Sequence, residues 1–117
     1  MSEKITLLRN VGLFSTLQDH ELEVVAKYSE YHSYKKGAII FKEGTSNEEL
    51  FIIKKGEVVI KKGQEGTVTD LARFIEGECF GELDLLDDTP RNASAVAEQD
   101  SVLLIFPVKK TPFQSVL

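Results

Sequence analysis

Seven glycines divide the chain after residue 30 into short apolar runs. They stand at positions 37, 44, 56, 63, 66, 77 and 81, and the runs between them are rich in isoleucine, valine and phenylalanine. Short β-prone segments that recur at this spacing, each ending at a residue suited to a tight turn, are typical of an all-β sandwich or barrel. The pattern predicts antiparallel β structure over residues 30–107.

Two of the glycine-bearing turns predict β-hairpins. Lys54-Lys55-Gly56-Glu57 separates two apolar runs, and residues 62–66 form a longer connection of the same kind. A later segment alternates Ala93, Ala95 and Ala97 with larger or polar residues, which predicts a half-buried strand with one face of small side chains. Such a face lets either a ligand or a packed helix come close to the sheet.

The segment before residue 30 has helical periodicity instead. Ile5, Leu8 and Val11 follow one another at about one turn, and a second helix follows the Thr16-Leu17-Gln18-Asp19 segment, which fits a loose capping box. The buried face expected for this second helix consists of Leu22, Val25, Ala26 and Ser29. The sequence therefore predicts an N-terminal helical segment over residues 1–29, ahead of the β region.

Length and charge exclude several classes of protein. A chain of 117 residues suits one domain, and its net charge of −5 argues against a nucleic-acid-binding surface, which needs clustered lysine and arginine. The single cysteine, Cys79, cannot form an internal disulfide. No apolar run reaches the roughly 18 residues of a membrane span, and the N-terminus lacks the pattern of a signal peptide. A cytoplasmic location without membrane insertion is expected.

Catalytic and metal-binding motifs are missing from the sequence. The two histidines, His20 and His32, are too few and too far apart for a histidine-rich metal site, and there is neither a phosphate-binding P-loop nor a nucleophile elbow. Cys79 is expected to be a small buried residue and His20 a surface residue. Core positions are expected for Phe14, Phe41, Phe51, Phe74 and Phe106. We expect no enzymatic activity and no metal or cofactor.

The stretch FGELDLLDDTPRNASA, residues 80–95, carries the strongest indication of a ligand site. Gly81 precedes a predicted short helix, where free backbone amides favour an anion. Arg91 offers a planar guanidinium that grips a phosphate through two hydrogen bonds. Glu82 supplies an acceptor for a sugar hydroxyl, and Ala93 and Ala95 form a wall of small residues. These features predict a site for a phosphate and a ribose side by side.

This stretch resembles the phosphate-binding cassette of cyclic-nucleotide-binding domains, which occur in the catabolite activator protein, in protein kinase A regulatory subunits and in cyclic-nucleotide-gated channels. The matching pattern is Gly81-Glu82-Leu83-x-Leu85-Leu86-x-x-x-Pro90-Arg91-x-Ala93-Ser94. Further similar segments are Leu13-Phe14-Ser15-x-Leu17, Gly37…Ile40-Phe41-x-x-Gly44 and Leu50-Phe51-Ile52-Ile53-x-x-Gly56. The resemblance covers nearly the whole chain and implies an antiparallel β jelly-roll barrel with N-terminal helices.

The resemblance also implies roles for single residues. Glu82 would accept from the ribose 2′-hydroxyl, and Arg91 would pair with the equatorial phosphate oxygen. Gly81 and the amides of Leu83 and Asp84 would face the sugar and the cyclic phosphate. Asn92 stands where family members carry Ala, Ser or Thr, so the choice between cyclic AMP and cyclic GMP stays open, with cyclic AMP slightly favoured.

Asp84 departs from the family pattern, which has Ala or Gly beside the phosphate. A carboxylate at about 4 Å from the phosphate charge would repel it by about 4 kcal/mol at an effective dielectric near 20. Three alternatives follow. The repulsion weakens a functional site; or the side chain turns to water and leaves binding unaffected, as an Asp in a first helical turn can; or Asp84 itself pairs with Arg91 and fills the pocket.

The resemblance implies a regulatory domain in which a bound cyclic nucleotide moves a C-terminal helix. Pro112 suits the first turn of such a helix, so residues 108–117 are expected to be its start. The alternative is a degenerate domain that binds no nucleotide and serves protein docking or dimerisation. The nucleotide sensor and the docking module each imply an effector domain or partner protein, and each is compatible with an oligomer.

Overall fold

The computed structural model describes residues 3–46, 49–63, 66–81 and 90–107. Its helical elements are α1 (Glu3–Arg9), a 3₁₀ turn (Gly12–Phe14) and α2 (Asp19–Tyr28). The strands are β1 (Glu30–Tyr34), β2 (Ile39–Phe41), β3 (Glu49–Lys55), β4 (Glu57–Lys62), β5 (Thr69–Ile75), β6 (Cys79–Phe80), β7 (Ser94–Ala97) and β8 (Ser101–Pro107). Helices thus precede the strands, as predicted.

The strands form two four-stranded antiparallel sheets. One has the order β1-β8-β3-β6 and the other has the order β2-β7-β4-β5. The predicted fold class, mainly β with N-terminal helices and a jelly-roll arrangement of strands, is confirmed. The short cassette helix and the start of a C-terminal helix were predicted within 82–89 and 108–117, which lie outside the described residues.

The predicted hairpin at Gly56 is wrong. Gly56 is the single residue between β3 and β4, but β3 pairs with β6 and β8, whereas β4 pairs with β5 and β7. The chain therefore passes at Gly56 from one sheet to the other, with φ at 106°. The second predicted hairpin is confirmed, because β4 pairs with β5 and Lys62 lies opposite Thr69.

Strand β3 serves two cores, because its side chains alternate between the two faces of its sheet. Leu50 and Ile52 pack against the helices, and Phe51 and Ile53 pack in the space between the sheets. The helical core comprises Leu8, Val11, Phe14, Leu22, Val25, Ala26, Leu50, Ile52, Leu104 and Phe106. The inter-sheet core comprises Phe41, Phe51, Ile53, Val58, Phe80, Ala95, Leu103 and Ile105. The expected core phenylalanines are buried, except that Phe74 is half-buried.

Helix α2 begins later than the predicted capping box implies. Its N-cap is Gln18, and the carboxylate of Glu21 accepts a hydrogen bond from the Gln18 amide at 2.9 Å. Thr16 therefore does not cap the helix, since it lies three residues before Asp19, where the helix starts. The predicted buried face is confirmed, because Leu22, Val25, Ala26 and Ser29 are all buried.

The C-terminal end of α2 is held by a lysine from α1. Lys4 Nζ donates to the carbonyl of Ser29 at 2.7 Å and to that of Ala26 at 3.3 Å. Carbonyls at the end of a helix lack partners in a following turn, so a cation there is favourable. Lys4 thereby fastens the two helices to each other.

We expect Lys4→Met to lower the free energy of unfolding by about 1 kcal/mol, since the variant removes charge-assisted hydrogen bonds and keeps the apolar stem. Urea denaturation measures the loss. Lys27→Met is the matched control, because Lys27 is exposed in the last turn of the same helix. Equal stability of the Lys4 variant and the wild type would show that these bonds contribute nothing.

Candidate functional site

The site is organised around the buried guanidinium of Arg91. Only 1% of this residue is exposed to solvent. Its Nη1 donates to the carbonyl of Gly81 at 2.8 Å, and its Nη2 donates to the carbonyl of Glu49 at 2.6 Å. The guanidinium thus bridges the residue after β6 and the first residue of β3. A charge buried to this extent requires such polar contacts, because desolvation would otherwise be costly.

The backbone of Arg91 is fixed by the turn that follows β2. The amide of Gly44 donates to the Arg91 carbonyl at 2.6 Å, and the Arg91 amide donates to the Thr45 carbonyl at 2.9 Å. In the same turn, the Glu43 amide donates to Ser94 Oγ at 2.9 Å. The chain that leads into β7 therefore has a defined path at Arg91, even though this residue lies outside the regular sheet ladder.

Gly81 is in close contact with the guanidinium. Its φ is 91°, in the left-handed region that favours glycine. A Cβ atom on this residue would lie 2.9 Å from Arg91 Nη1 and 3.3 Å from Nη2. Because the arginine is held on its other side by Glu49, it has little room to withdraw. Glycine is therefore needed here both for its backbone conformation and for the close approach.

The predicted site residues fall into two groups. In the first group, Gly81 and Arg91 are in contact. Ala93, two residues after Arg91, is buried, and Asn92 is exposed. Glu82, Leu83 and Asp84 lie outside the described residues. Their predicted contacts with ribose and phosphate, and the three alternatives for the Asp84 carboxylate, remain predictions.

The alternating alanines before and along β7 are buried. Ala93, Ala95 and Ala97 are buried, and Ser94 and Val96 on the other face are half-buried, which confirms the predicted alternation. Ala95 belongs to the inter-sheet core and not to the helical core. The side chain of Ala95 therefore lies between the two sheets.

Two further residues, Glu49 and Phe41, contact Arg91 but were not predicted as site residues. Glu49 takes part through its backbone carbonyl, which no side-chain motif reveals. Its negative charge also acts on a neighbouring tyrosine, since burial and, to a lesser extent, the Glu49 carboxylate raise the pKa of Tyr34. Phe41 was predicted only as a core residue, but its ring centroid lies 4.5 Å from Arg91 Cζ.

Other chemistry is not indicated in the part of the chain that the structure describes. Within it, no group of three or more His, Cys, Asp or Glu side chains is arranged to hold a metal ion. No described helix combines the length and the apolar character that a membrane crossing requires. Cys79 packs beside the helical core but is half-buried and not buried as expected, whereas His20 is exposed as expected.

We expect Gly81→Ala to weaken ligand binding roughly tenfold, because the new methyl group displaces the guanidinium and strains a positive-φ backbone. Gly66→Ala is the matched control, since Gly66 also has a positive φ, of 88°, and no atom of the described residues lies within 4 Å of the position that its Cβ atom would take. Calorimetric titration with a cyclic nucleotide compares the two variants. Equal affinities would mean that the close approach of Gly81 to Arg91 is not needed for binding.

Comparison with known proteins agrees with this geometry. A family model described as the cyclic nucleotide-binding domain matches residues 31–114. The chain is 35% identical to a cAMP-dependent protein kinase regulatory subunit of Colletotrichum orbiculare, over 94% of this chain and 27% of the relative. It is 38% identical to the Cyclic AMP receptor protein of Thermus thermophilus, over 83% of this chain and 45% of that protein.

A solved structure, that of cAMP-bound PfPKA-R, has a TM-score of 0.86 and 27% identity, and the match covers 100% of this chain and 43% of that chain. The chain therefore spans less than half the length of these relatives. The family match, the relatives above 30% identity and the buried arginine beside Gly81 all point the same way. This chain belongs to the family of cyclic nucleotide-binding domains.

Proposed function

We propose that the chain is a regulatory domain that binds a cyclic nucleotide, with cyclic AMP slightly favoured over cyclic GMP. The observation that carries the proposal is the guanidinium of Arg91, which is buried and joined to the carbonyl of Gly81 at the beginning of the cassette. The relatives named cAMP-dependent protein kinase regulatory subunit and Cyclic AMP receptor protein support the choice of ligand.

Electrostatics favour an anion at this arginine. A phosphate would bring a full negative charge close to the guanidinium, in addition to the partial charges of the carbonyls of Gly81 and Glu49. One unit charge at about 4 Å contributes about 4 kcal/mol at an effective dielectric near 20, before the cost of removing water. Glu82 would accept from the ribose 2′-hydroxyl, and the amides of Leu83 and Asp84 would face the sugar and phosphate.

Binding would act as a population shift and not as catalysis. A ligand can change the conformation only as far as it binds one state better than the other. In the proposed mechanism the cassette closes on the cyclic phosphate, and a C-terminal helix, which we expect to start within residues 108–117, follows as a lid. The whole of residues 1–117 would work as one such domain, in the cytoplasm, joined to an effector domain or partner protein.

A thermal-shift series with cyclic AMP and cyclic GMP tests the proposal. A ligand that binds the folded chain only, at 100 times its dissociation constant, adds about 2.7 kcal/mol of stability. We expect a shift with at least one cyclic nucleotide and none with adenosine at the same concentration, because adenosine lacks the phosphate. A chain that shows no shift with either cyclic nucleotide at millimolar concentration would instead fit the docking or dimerisation module.

A further inference from the structure

The ring of Phe41 is in close contact with the face of the Arg91 guanidinium. Arg91 Cζ lies 4.5 Å from the centroid of Phe41 and 5.8 Å from that of Phe51. Phe41 is itself 8% exposed, so both partners of the closer contact are largely removed from water. A cation over an aromatic face is attracted by the ring, and the attraction is stronger when water is excluded.

One short segment of chain holds both the side chain and the backbone of Arg91. Phe41 ends β2 and lies against the guanidinium, and the turn that follows binds the Arg91 backbone through Gly44 and Thr45. Contacts from residues 41–45 therefore converge on a single residue. Core packing alone does not account for these contacts with Arg91, because a buried phenylalanine needs no charged partner.

Phe41 is in turn fixed by the neighbouring rings. Its centroid lies 5.6 Å from that of Phe51 and 6.2 Å from that of Phe80. Phe51 and Phe80 stack on each other at 5.1 Å, with an angle of 7° between their planes. Because Phe80 directly precedes Gly81, this aromatic cluster connects the ring under the guanidinium with the carbonyl that the guanidinium binds.

We propose that Phe41 is a positioning residue for Arg91 and that its ring sets the affinity of the site for the cyclic phosphate. The inference rests on the proposed function, since it assigns to Phe41 a part in the same site. Without the ring, the guanidinium loses one of its supports and samples orientations that do not meet the phosphate. The ring thus lowers the cost of ordering the arginine when the ligand binds.

Phe41→Leu removes the ring and keeps an apolar side chain, and Phe41→Tyr keeps the ring face. We expect calorimetry with cyclic AMP to show about fivefold weaker binding for Phe41→Leu and binding within about twofold of the wild type for Phe41→Tyr. Phe106→Leu is the matched control for loss of a buried ring, because Phe106 belongs to the helical core and pairs with Phe14. It should bind as the wild type does.

A second measurement needs no ligand. The ring current of Phe41 shifts the side-chain proton resonances of Arg91, and we expect NMR to show that this shift disappears in Phe41→Leu, persists in Phe41→Tyr and is unchanged in Phe106→Leu. If Phe41→Leu fails to fold, Phe41→Met replaces it in both measurements. Equal losses of affinity in Phe41→Leu, Phe41→Tyr and Phe106→Leu would overturn the inference. Arg91 resonances that are the same in the wild type and in Phe41→Leu would also overturn it.

The two measurements separate this inference from the proposed function. Absence of cyclic-nucleotide binding by the wild type overturns the proposed function. The Arg91 resonances then decide the positioning role alone: dependence on a ring at residue 41 supports it, and independence overturns it. Binding by the wild type with unaltered affinity in Phe41→Leu leaves the proposed function intact and overturns the role of Phe41 in affinity.

Discussion

Gly56→Ala is expected to lower the free energy of unfolding by about 3–5 kcal/mol. The residue has a φ of 106°, and a Cβ atom there would lie 2.7 Å from Ser101 Cβ and 2.8 Å from Ser101 Cα. Ser101 is buried at the start of β8, which pairs with β1 and β3 on its two sides and cannot easily withdraw. Steric overlap with backbone adds to a positive-φ strain of about 1–2 kcal/mol. The two effects together account for that loss, which is a large part of the roughly 5–15 kcal/mol that stabilises a typical domain.

Urea denaturation with Gly37→Ala as the matched control tests this prediction. Gly37 has a φ of 89°, but within the part of the chain that the structure describes no atom lies within 4 Å of the position that its Cβ atom would take. In that variant only the backbone strain should lower the free energy of unfolding, by about 1–2 kcal/mol. If both variants lose the same small amount, the close passage of Gly56 against β8 is not part of the native fold, and the crossing between the sheets would need another path.

Arg91→Ala is expected to abolish measurable affinity for cyclic AMP or to reduce it by at least about 100-fold, because a charge-assisted pair with phosphate contributes about 1.5–3 kcal/mol or more when buried. The variant also leaves the carbonyls of Gly81 and Glu49 without the donors seen here, so its stability should fall. Arg91→Lys keeps the charge but cannot bridge two carbonyls with a planar fork, and we expect intermediate affinity.

Arg73→Ala is the control for loss of an arginine. Arg73 lies on β5, is half-exposed and pairs with Glu57 at 2.9 Å. Exposed pairs contribute about 0–1 kcal/mol, so this variant should keep both its fold and its affinity. Calorimetry on the four proteins, at concentrations where each is folded, gives the comparison. Wild-type affinity in Arg91→Ala would show that the ligand does not meet this guanidinium.

Glycine spacing was enough to predict where the chain turns, because all seven glycines from residue 37 to residue 81 have a positive φ. It was not enough to predict which strands pair. The segment around Gly56 has the local composition of a hairpin turn, yet the adjacent strands join different sheets. That choice depends on packing over long sequence distances, as when Phe51 of β3 and Val58 of β4 meet in the same core from opposite sheets.

Only part of the site could be predicted, because local motifs are visible in the sequence and long-range contacts are not. Gly81 and Arg91 belong to a motif with fixed spacing, and the structure places them in contact. The Glu49 carbonyl has no signature in the sequence, because every residue offers the same backbone acceptor whatever its side chain. Phe41 was predicted as a core residue, and it is one. Its second contact, with a charge, depends on the path of the chain around residue 91.

Calorimetric titration of the wild-type chain with cyclic AMP and with adenosine tests the central claim most directly. We predict one cyclic AMP bound per chain, with an affinity at least about 100-fold above that for adenosine, because only the cyclic phosphate meets the guanidinium of Arg91. Equal affinities for the two compounds, or no heat with cyclic AMP at millimolar concentration, would contradict the claim that this arginine is the anchor of a cyclic-nucleotide site.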